Sequence, residues 1–223
     1  MAKNITDWLP DVYAEIGGND CPVSKIETAI MESIRDFCDK TLTWKVNLDR
    51  ISVVADTQSY ALTIATSDII SIMSVKYKQN GLDDDQFVTL TPISEQDNDA
   101  YKQGGWEFST SSSPSEFWVD SGRTLNLWPT PTDASLEGIL VKVFIKPLIT
   151  ATEVEDFFYN DHKKVITLGA VSKLLQETNT SWANIEVGLL KGRQYISMCN
   201  DAIRIKKTGY TNKPLSVKFR RFV

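Results

Sequence analysis

Apolar residues recur at two spacings along this chain, and each spacing predicts a different kind of secondary structure. After Pro22, apolar residues at helical spacing define one face of an amphipathic helix of about five turns. These residues are Ile26, Ala29, Ile30, Ile34, Phe37 and Cys38. Residues 1–20, with Trp8, Pro10 and the pair Gly17-Gly18, are predicted to form an extended arm with an early apolar anchor.

The middle of the chain follows a period of two, which is typical of half-buried strands. In residues 139–146, Ile139, Val141, Val143 and Ile145 alternate with the opposite face. Further strands are predicted over residues 58–64, 69–78, 86–91, 116–120 and 123–128. The turn Asp120-Ser-Gly122-Arg123 joins the last two into a predicted hairpin. A capping pattern from Ser94 to Asp97 predicts a brief helix between strands.

Helical spacing returns near residue 160. One helix is predicted from about Asn160 to Thr178, and a second follows Asn179–Ser181, a break with N-cap chemistry. The predicted apolar face of the second helix consists of Ile185, Leu189, Ile196, Cys199 and Ile203. Two helices joined by so short a turn are expected to form a helical hairpin.

Strands grouped between helices favour an α+β fold over an alternating α/β fold. The predicted architecture is an N-terminal helix, a central mainly antiparallel β region, and a C-terminal helical hairpin that forms a bundle with the first helix. An extended C-terminal tail follows. The corresponding boundaries are 1–50 for the arm and first helix, 51–150 for the β region, 151–208 for the hairpin and 209–223 for the tail.

Charge is distributed unevenly. From Lys191 onward the chain has nine Lys or Arg residues and one acidic residue, a balance of +8, whereas the net charge of all 223 residues is −5. The preceding residues therefore carry −13. The final segment interleaves cations with apolar residues and has little core left to join, so we expect it to dock on another chain. The alternative is a basic terminus without function.

Residues that could perform chemistry are sparse. His162 is the single histidine and is expected to be a first-turn helix residue rather than a general base. Asp83-Asp84-Asp85 follows Asn80-Gly81 and is interpreted as a solvated loop rather than a cation site. Three cysteines without a CxxC pair favour neither disulfides nor zinc. We expect no enzymatic activity, no cofactor, no metal, no secretory signal and no membrane span.

Three blocks in order resemble the head-to-tail adaptor (connector) proteins of tailed bacteriophages, including the tail tubular protein A type. The first block is Trp8-Leu-Pro10-Asp-Val12, Cys21-Pro22, Ala29-Ile30, Phe37-Cys38 and Trp44. The second is Pro129-Thr-Pro131, which follows Leu127-Trp128 and leads into Val141-Lys-Val-Phe144. The third runs from Phe157-Phe158 through Trp182-Ala-Asn184 to Val217-Lys-Phe-Arg-Arg221.

The resemblance implies a ring of twelve copies that joins the portal protein to a tail or nozzle protein. It also implies passage of genomic double-stranded DNA through the lumen, and a place at the head-tail junction of a virion assembled in the host cytoplasm. No catalytic motif carries over. The tail matches in position and character, and its predicted portal-docking residues are Pro214, Leu215, Val217, Lys218, Phe219, Arg220, Arg221 and Phe222.

Other functions remain open at this point. A head-completion or tail-terminator ring would use the same architecture with a different partner. A virion-associated hydrolase would act through an acidic pair such as Asp83 and Asp85. A cytoplasmic DNA-binding regulator would rest on the basic tail alone.

Overall fold

The structure, a computed structural model, describes residues 2–17, 20–83, 86–94 and 109–208. It confirms a mixed α+β protein. The chain divides into two compact units. The helical unit comprises the described residues up to Trp44 and from Lys146, and the β unit comprises Lys45–Ile145. The predicted brief helix after Ser94 and the basic tail from residue 209 lie outside the described residues.

The elements follow one another in a helix–strand–helix order. The helices are α1 Leu9–Ile16, α2 Val23–Thr41, α3 Asp156–Asn160, α4 Lys163–Leu175 and α5 Ile185–Thr208, with a 3₁₀ helix at Ile5–Trp8. The strands are β1 Ala2–Asn4, β2 Lys45–Asn47, β3 Ile51–Val53, β4 Ser59–Ala61, β5 Ser67–Tyr77, β6 Val88–Thr89, β7 Thr91–Pro92, β8 Thr110–Ser111, β9 Glu116–Val119, β10 Thr124–Trp128, β11 Thr130–Pro131, β12 Ser135–Pro147 and β13 Glu153–Glu155.

Helix α2 confirms the strongest helical pattern in the sequence. All six residues of its predicted apolar face are buried. Pro22 stands at the N-cap, where its missing N–H leaves no helical hydrogen bond unmade. Leu42 ends the helix in a left-handed conformation, and its N–H donates to the carbonyl of Cys38.

The prediction of an extended N-terminal arm is wrong. Within residues 2–17 only β1 is an extended strand, and it pairs antiparallel with β13. The chain then turns through the 3₁₀ helix into α1, because Pro10 lies in the first helical turn, where its fixed φ favours a helix. Gly17 ends α1 at a φ of 83°, in the left-handed region that a side chain would disfavour. Trp8 is fully buried, as expected of an anchor.

Helix α4 is the centre of the helical unit, with contacts to α1, α2, α3 and α5. Nearly every residue from Val165 to Leu175 is buried. A helix that is apolar on all sides must be surrounded by other elements. The predicted helix from Asn160 to Thr178 therefore corresponds to a shorter α4, which is preceded by the separate short helix α3.

The predicted apolar face of α5 is wrong for three of its five residues. Ile185, Leu189 and Ile196 are each about half exposed, whereas Cys199 is buried. Gly188, Tyr195 and Cys199 form the buried side. This side is rotated by about 60° from the predicted face, at about 100° per residue. The helix begins later than predicted, since Asn184 rather than Asn179–Ser181 caps it by accepting from the Val187 N–H.

Within its described residues, the β unit contains two larger sheets. One has the strand order β2-β12-β5-β6, with β3 also pairing with β12, and the other has the order β4-β10-β9-β7. The predicted hairpin is confirmed, because β9 and β10 pair antiparallel. The alternation of residues 139–146 is also confirmed, since Ile139, Val141, Val143 and Ile145 are all buried. The short strands β2 and β3 were not predicted from the sequence.

Candidate assembly surfaces

Helices α2, α4 and α5 meet at Gly169. A Cβ atom at this position would overlap Ser33 Oγ of α2 and would lie 2.9 Å from Cε2 of the Tyr195 ring of α5. Ser33 Oγ donates across the same contact to the carbonyl of Ile166, at 2.8 Å. The helices therefore approach one another more closely than any larger residue would allow.

Two further glycines bring α5 against the end of α4. A Cβ atom at Gly188 would lie 2.9 Å from Gln176 Cγ, and one at Gly192 would lie 2.9 Å from Ser172 Oγ. Ser172 Oγ also donates to the Gly188 carbonyl, at 2.9 Å. The glycine side of α5 therefore faces the core, and this packing turns the larger apolar side chains of the helix outward.

A polar contact fixes α5 on α2. Tyr195 Oη donates to Asp36 Oδ2 at 2.7 Å, and the Lys40 ammonium pairs with the same carboxylate. Burial opposes ionisation of Asp36, but the hydrogen bonds from Lys40 and Tyr195 outweigh burial and lower the pKa of the carboxyl group. Burial and the bond to Asp36 raise the pKa of Tyr195, so the phenol remains the donor.

Ion pairs connect the helices at the surface. They are Lys25–Glu177 at 2.6 Å, Lys173–Glu32 at 3.1 Å, Lys163–Asp11 at 2.5 Å, and Lys191–Glu15. Exposed pairs of this kind contribute at most about 1 kcal/mol each. Their main effect is to set the relative register of helices that the buried contacts already hold together.

Helix α5 leaves an apolar surface uncovered. Ile185, Leu189 and Ile196 are 52%, 51% and 53% exposed, and Arg193 lies on the same side of the helix. At about 100° per residue these four positions fall within about 80° of arc. We call this surface the α5 ridge. Uncovered apolar surface of this kind is typical of protein-binding sites.

A groove of about 480 Å³ lies beside the N-terminal half of α2. Its walls come from the 3₁₀ helix, from α2 and from the turn before β13, and we call it the N-terminal groove. Its lining includes Ile5, Glu27, Met31 and Ile149. Ile5 and Met31 are buried in its floor, whereas Ile149 at the rim is 59% exposed.

The last turn of α5 is anchored to the end of α2. The Lys206 ammonium donates to the carbonyl of Thr41 at 3.2 Å and to that of Leu42. Cations are favoured beside the carbonyls that end a helix. The predicted docking tail begins in sequence directly after this anchored turn, and its residues 214–222 lie outside the described part of the chain.

His162 and the three cysteines, the residues considered for chemistry, take part in packing. His162 precedes α4 with its ring 4.7 Å from that of Phe37, and burial lowers its pKa although Asp161 opposes this. Burial also raises the pKa of each of the three thiols. The cysteines, all free and buried, are Cys21, Cys38 and Cys199.

The acidic residues, like His162 and the cysteines, do not form a chemical site within the described ranges. Within the described ranges, no three His, Cys, Asp or Glu side chains converge as metal ligands. Of the predicted acidic loop, Asp83 is described and follows Gly81, which has a φ of 80°, while residues 84 and 85 lie outside. Glu153 and Glu155 belong to β13, and Asp156 lies in the first turn of α3. No helix in the described part is long and apolar enough to cross a membrane.

The helical unit of this α+β protein therefore has two uncovered apolar surfaces, the α5 ridge and the N-terminal groove. The model of the SU10 adaptor protein family matches residues 1–206. The chain therefore belongs to this family of phage adaptor proteins, which are structural components of the virion and interact with other head and tail proteins. No curated protein matches the chain significantly.

Proposed function

We propose that this protein is a head-to-tail adaptor of the tail tubular protein A type. It forms a ring of twelve copies that joins the portal to the tail or nozzle protein and lines the DNA exit channel. The observation that carries this proposal is the match of the SU10 adaptor protein family to nearly the whole chain, residues 1–206. The protein is structural and acts without catalysis or cofactor, in a particle assembled in the host cytoplasm.

The C-terminal tail is the proposed portal-docking element. Residues 214–223 contain Lys218, Arg220 and Arg221 and no acidic residue, and apolar residues lie between these cations. An extended segment of this kind adds to a sheet edge or groove of a partner, where acidic residues receive its cations. The anchoring of Lys206 to the end of α2 supports this role, because it gives the tail a fixed starting point on the bundle.

The acidity of the β unit supports the proposed passage of DNA. Residues 45–145 contain fourteen Asp or Glu residues and seven Lys or Arg residues, a balance of −7, whereas the rest of the chain has a balance of +2. Negative charge along a channel repels phosphate and prevents the DNA from sticking to the wall. We therefore assign the DNA-facing role to acidic residues of the β unit.

The proposal is tested by mass photometry of the full chain, alone and mixed with the portal protein encoded in the same genome. The expected result is a mass increase equal to twelve copies per portal. Deletion of residues 214–223 should leave the circular dichroism spectrum and melting temperature unchanged and abolish portal binding. A matched control keeps the length and charge of the tail but replaces Leu215, Val217, Phe219 and Phe222 with Ser, which separates apolar docking from charge attraction.

Three results would each contradict part of the proposed function. Binding to tail proteins without binding to the portal would identify a tail-terminator ring. Portal binding that survives the deletion would remove the docking role from the tail while leaving the adaptor role in place. Glycan cleavage that is lost in Asp83→Asn would instead establish the hydrolase alternative.

A further inference from the structure

The α5 ridge and the N-terminal groove lie on opposite flanks of α2. Tyr195 of α5 contacts α2 at Asp36, whereas the groove meets α2 at Glu27 and Met31. At about 100° per residue, Asp36 lies about 180° from Glu27 and about 140° from Met31 around the helix axis. Helix α5 and the groove therefore lie on different sides of α2, and no α5 residue lines the groove within one copy.

The two surfaces are complementary in chemistry. The ridge presents three half-exposed apolar side chains, and the groove offers an apolar floor of Ile5 and Met31 with the exposed Ile149 at its rim. Val23 lies one turn before Glu27 on α2, outside the lining of the groove, and its side chain is 47% exposed. An apolar ridge and an apolar groove each lose unfavourable contact with water when they pack together.

Charge complementarity points to the same pairing. Arg193 lies on the ridge and Glu27 lines the groove. Neither side chain has an ion-pair partner within the described ranges of the chain. Opposite charges placed on two facing surfaces fix the register of an interface and disfavour other partners.

From this placement we infer that the α5 ridge of one copy binds the N-terminal groove of a second copy of this chain. Because the two surfaces differ and lie on opposite flanks, the contact is heterologous, and each bound copy still presents a free ridge or a free groove. Such contacts build a closed ring when the rotation between neighbours closes. The inference rests on the proposed function and assigns the residues that join neighbouring adaptor subunits.

The test counts bound copies per portal by mass photometry for matched variants of the full chain. Leu189→Glu on the ridge and Ile149→Glu at the groove rim should each raise the concentration needed for half-filling about tenfold or more. The control is Leu190→Glu. Leu190 is adjacent in sequence and similarly exposed, at 53%. It lies about 100° from Leu189 around the helix, so this control should fill the portal as the unsubstituted chain does.

A charge exchange identifies the partner as a second copy. Arg193→Glu and Glu27→Arg should each weaken filling, and the double variant R193E/E27R should restore it, because every copy then carries both reversed charges. The same chains are compared by sedimentation velocity without portal, where the single variants should associate less than the unsubstituted chain at high concentration.

The outcomes distinguish the ridge–groove contact from the adaptor role on which it rests. Equal filling by the unsubstituted chain, L189E and I149E would overturn the ridge-groove contact while leaving the adaptor role intact. Failure of the unsubstituted chain to bind portal would overturn the adaptor role, and sedimentation would then decide the ridge-groove contact by itself. Loss of filling in R193E without restoration in the double variant would assign the ridge to a contact with the portal instead.

Discussion

The two units of this protein use their apolar residues in different ways. In the β unit, every second residue of β12 from Ile139 to Ile145 faces inward. The sequence pattern alone identifies this side as the core side. In the helical unit, glycines determine which side of α5 is buried, and larger apolar residues remain outside. The comparison shows that an apolar pattern indicates the core only where no closer backbone contact competes with it.

The units also differ in charge. The β unit has a balance of −7, while the helical unit uses charged residues in pairs that connect its helices, such as Lys173–Glu32 and Lys25–Glu177. Paired charges stabilise the contacts between elements only modestly. An excess of one sign instead shapes the electrostatic field around the protein, which supports different roles for the two units.

The largest expected effect is in the core of the β unit. Ile139→Ala removes a fully buried side chain from β12. The free energy of unfolding of this unit should fall by about 3–4 kcal/mol. Calorimetry should show a lower transition for the β unit and an unchanged one for the helical unit. If both transitions move together, the two cores do not unfold separately.

The close contact of the helices is tested by Gly169→Val. The added atoms meet Ser33 and the Tyr195 ring. The free energy of unfolding of the helical unit should therefore fall by about 2–3 kcal/mol. Gln194→Val places the same β-branched residue on the exposed side of α5 and serves as the control. Because Val has a higher helix propensity than Gly, propensity cannot account for a loss of stability in G169V. Equal destabilisation by both variants would show that the loss does not come from the close contact.

The contact between α5 and α2 is tested by Tyr195→Phe, which removes the donor to Asp36. The loss should cost about 1 kcal/mol or slightly more at neutral pH. The folded pKa of Asp36 is lowered, so its contribution is present above its unfolded pKa and is lost as pH falls through the folded pKa. Urea unfolding should therefore show the deficit at pH 7 and a smaller one below about pH 4. A deficit independent of pH would show that the ionised carboxylate is not the acceptor.

The smallest expected effect is at the surface of the helical unit. Lys173→Ala breaks the pair with Glu32, whose two side chains are 40% and 47% exposed. The cost should be a few tenths of a kcal/mol. The double variant with Glu32→Ala measures the coupling between the two residues in urea unfolding. A coupling above about 1 kcal/mol would mean that this ion pair does more than set register.

Sequence patterns were sufficient to predict the α+β class, helix α2, the β9–β10 hairpin and the inward face of β12. These features follow from local rules, since helix and strand periods place side chains on fixed sides of their own backbone. The basic, apolar tail was likewise evident from residue order alone, and its docking role stays a prediction. The burial of Cys38 followed from its position on the apolar face of α2, whereas Cys199 is buried because it lies on the glycine side of α5.

The orientation of α5, and the surfaces that result from it, depend on tertiary packing and were not predictable from the sequence. Helix α5 has apolar residues on several sides, so its periodicity did not select one, and Gly188 and Gly192 selected the side that approaches α4 most closely. The N-terminal groove forms where residues 4–6, α2 and residues 149–152 come together, which no local pattern reveals. Contacts between residues distant in sequence depend on the packing of whole elements, and this packing placed the ridge and the groove on opposite flanks of α2.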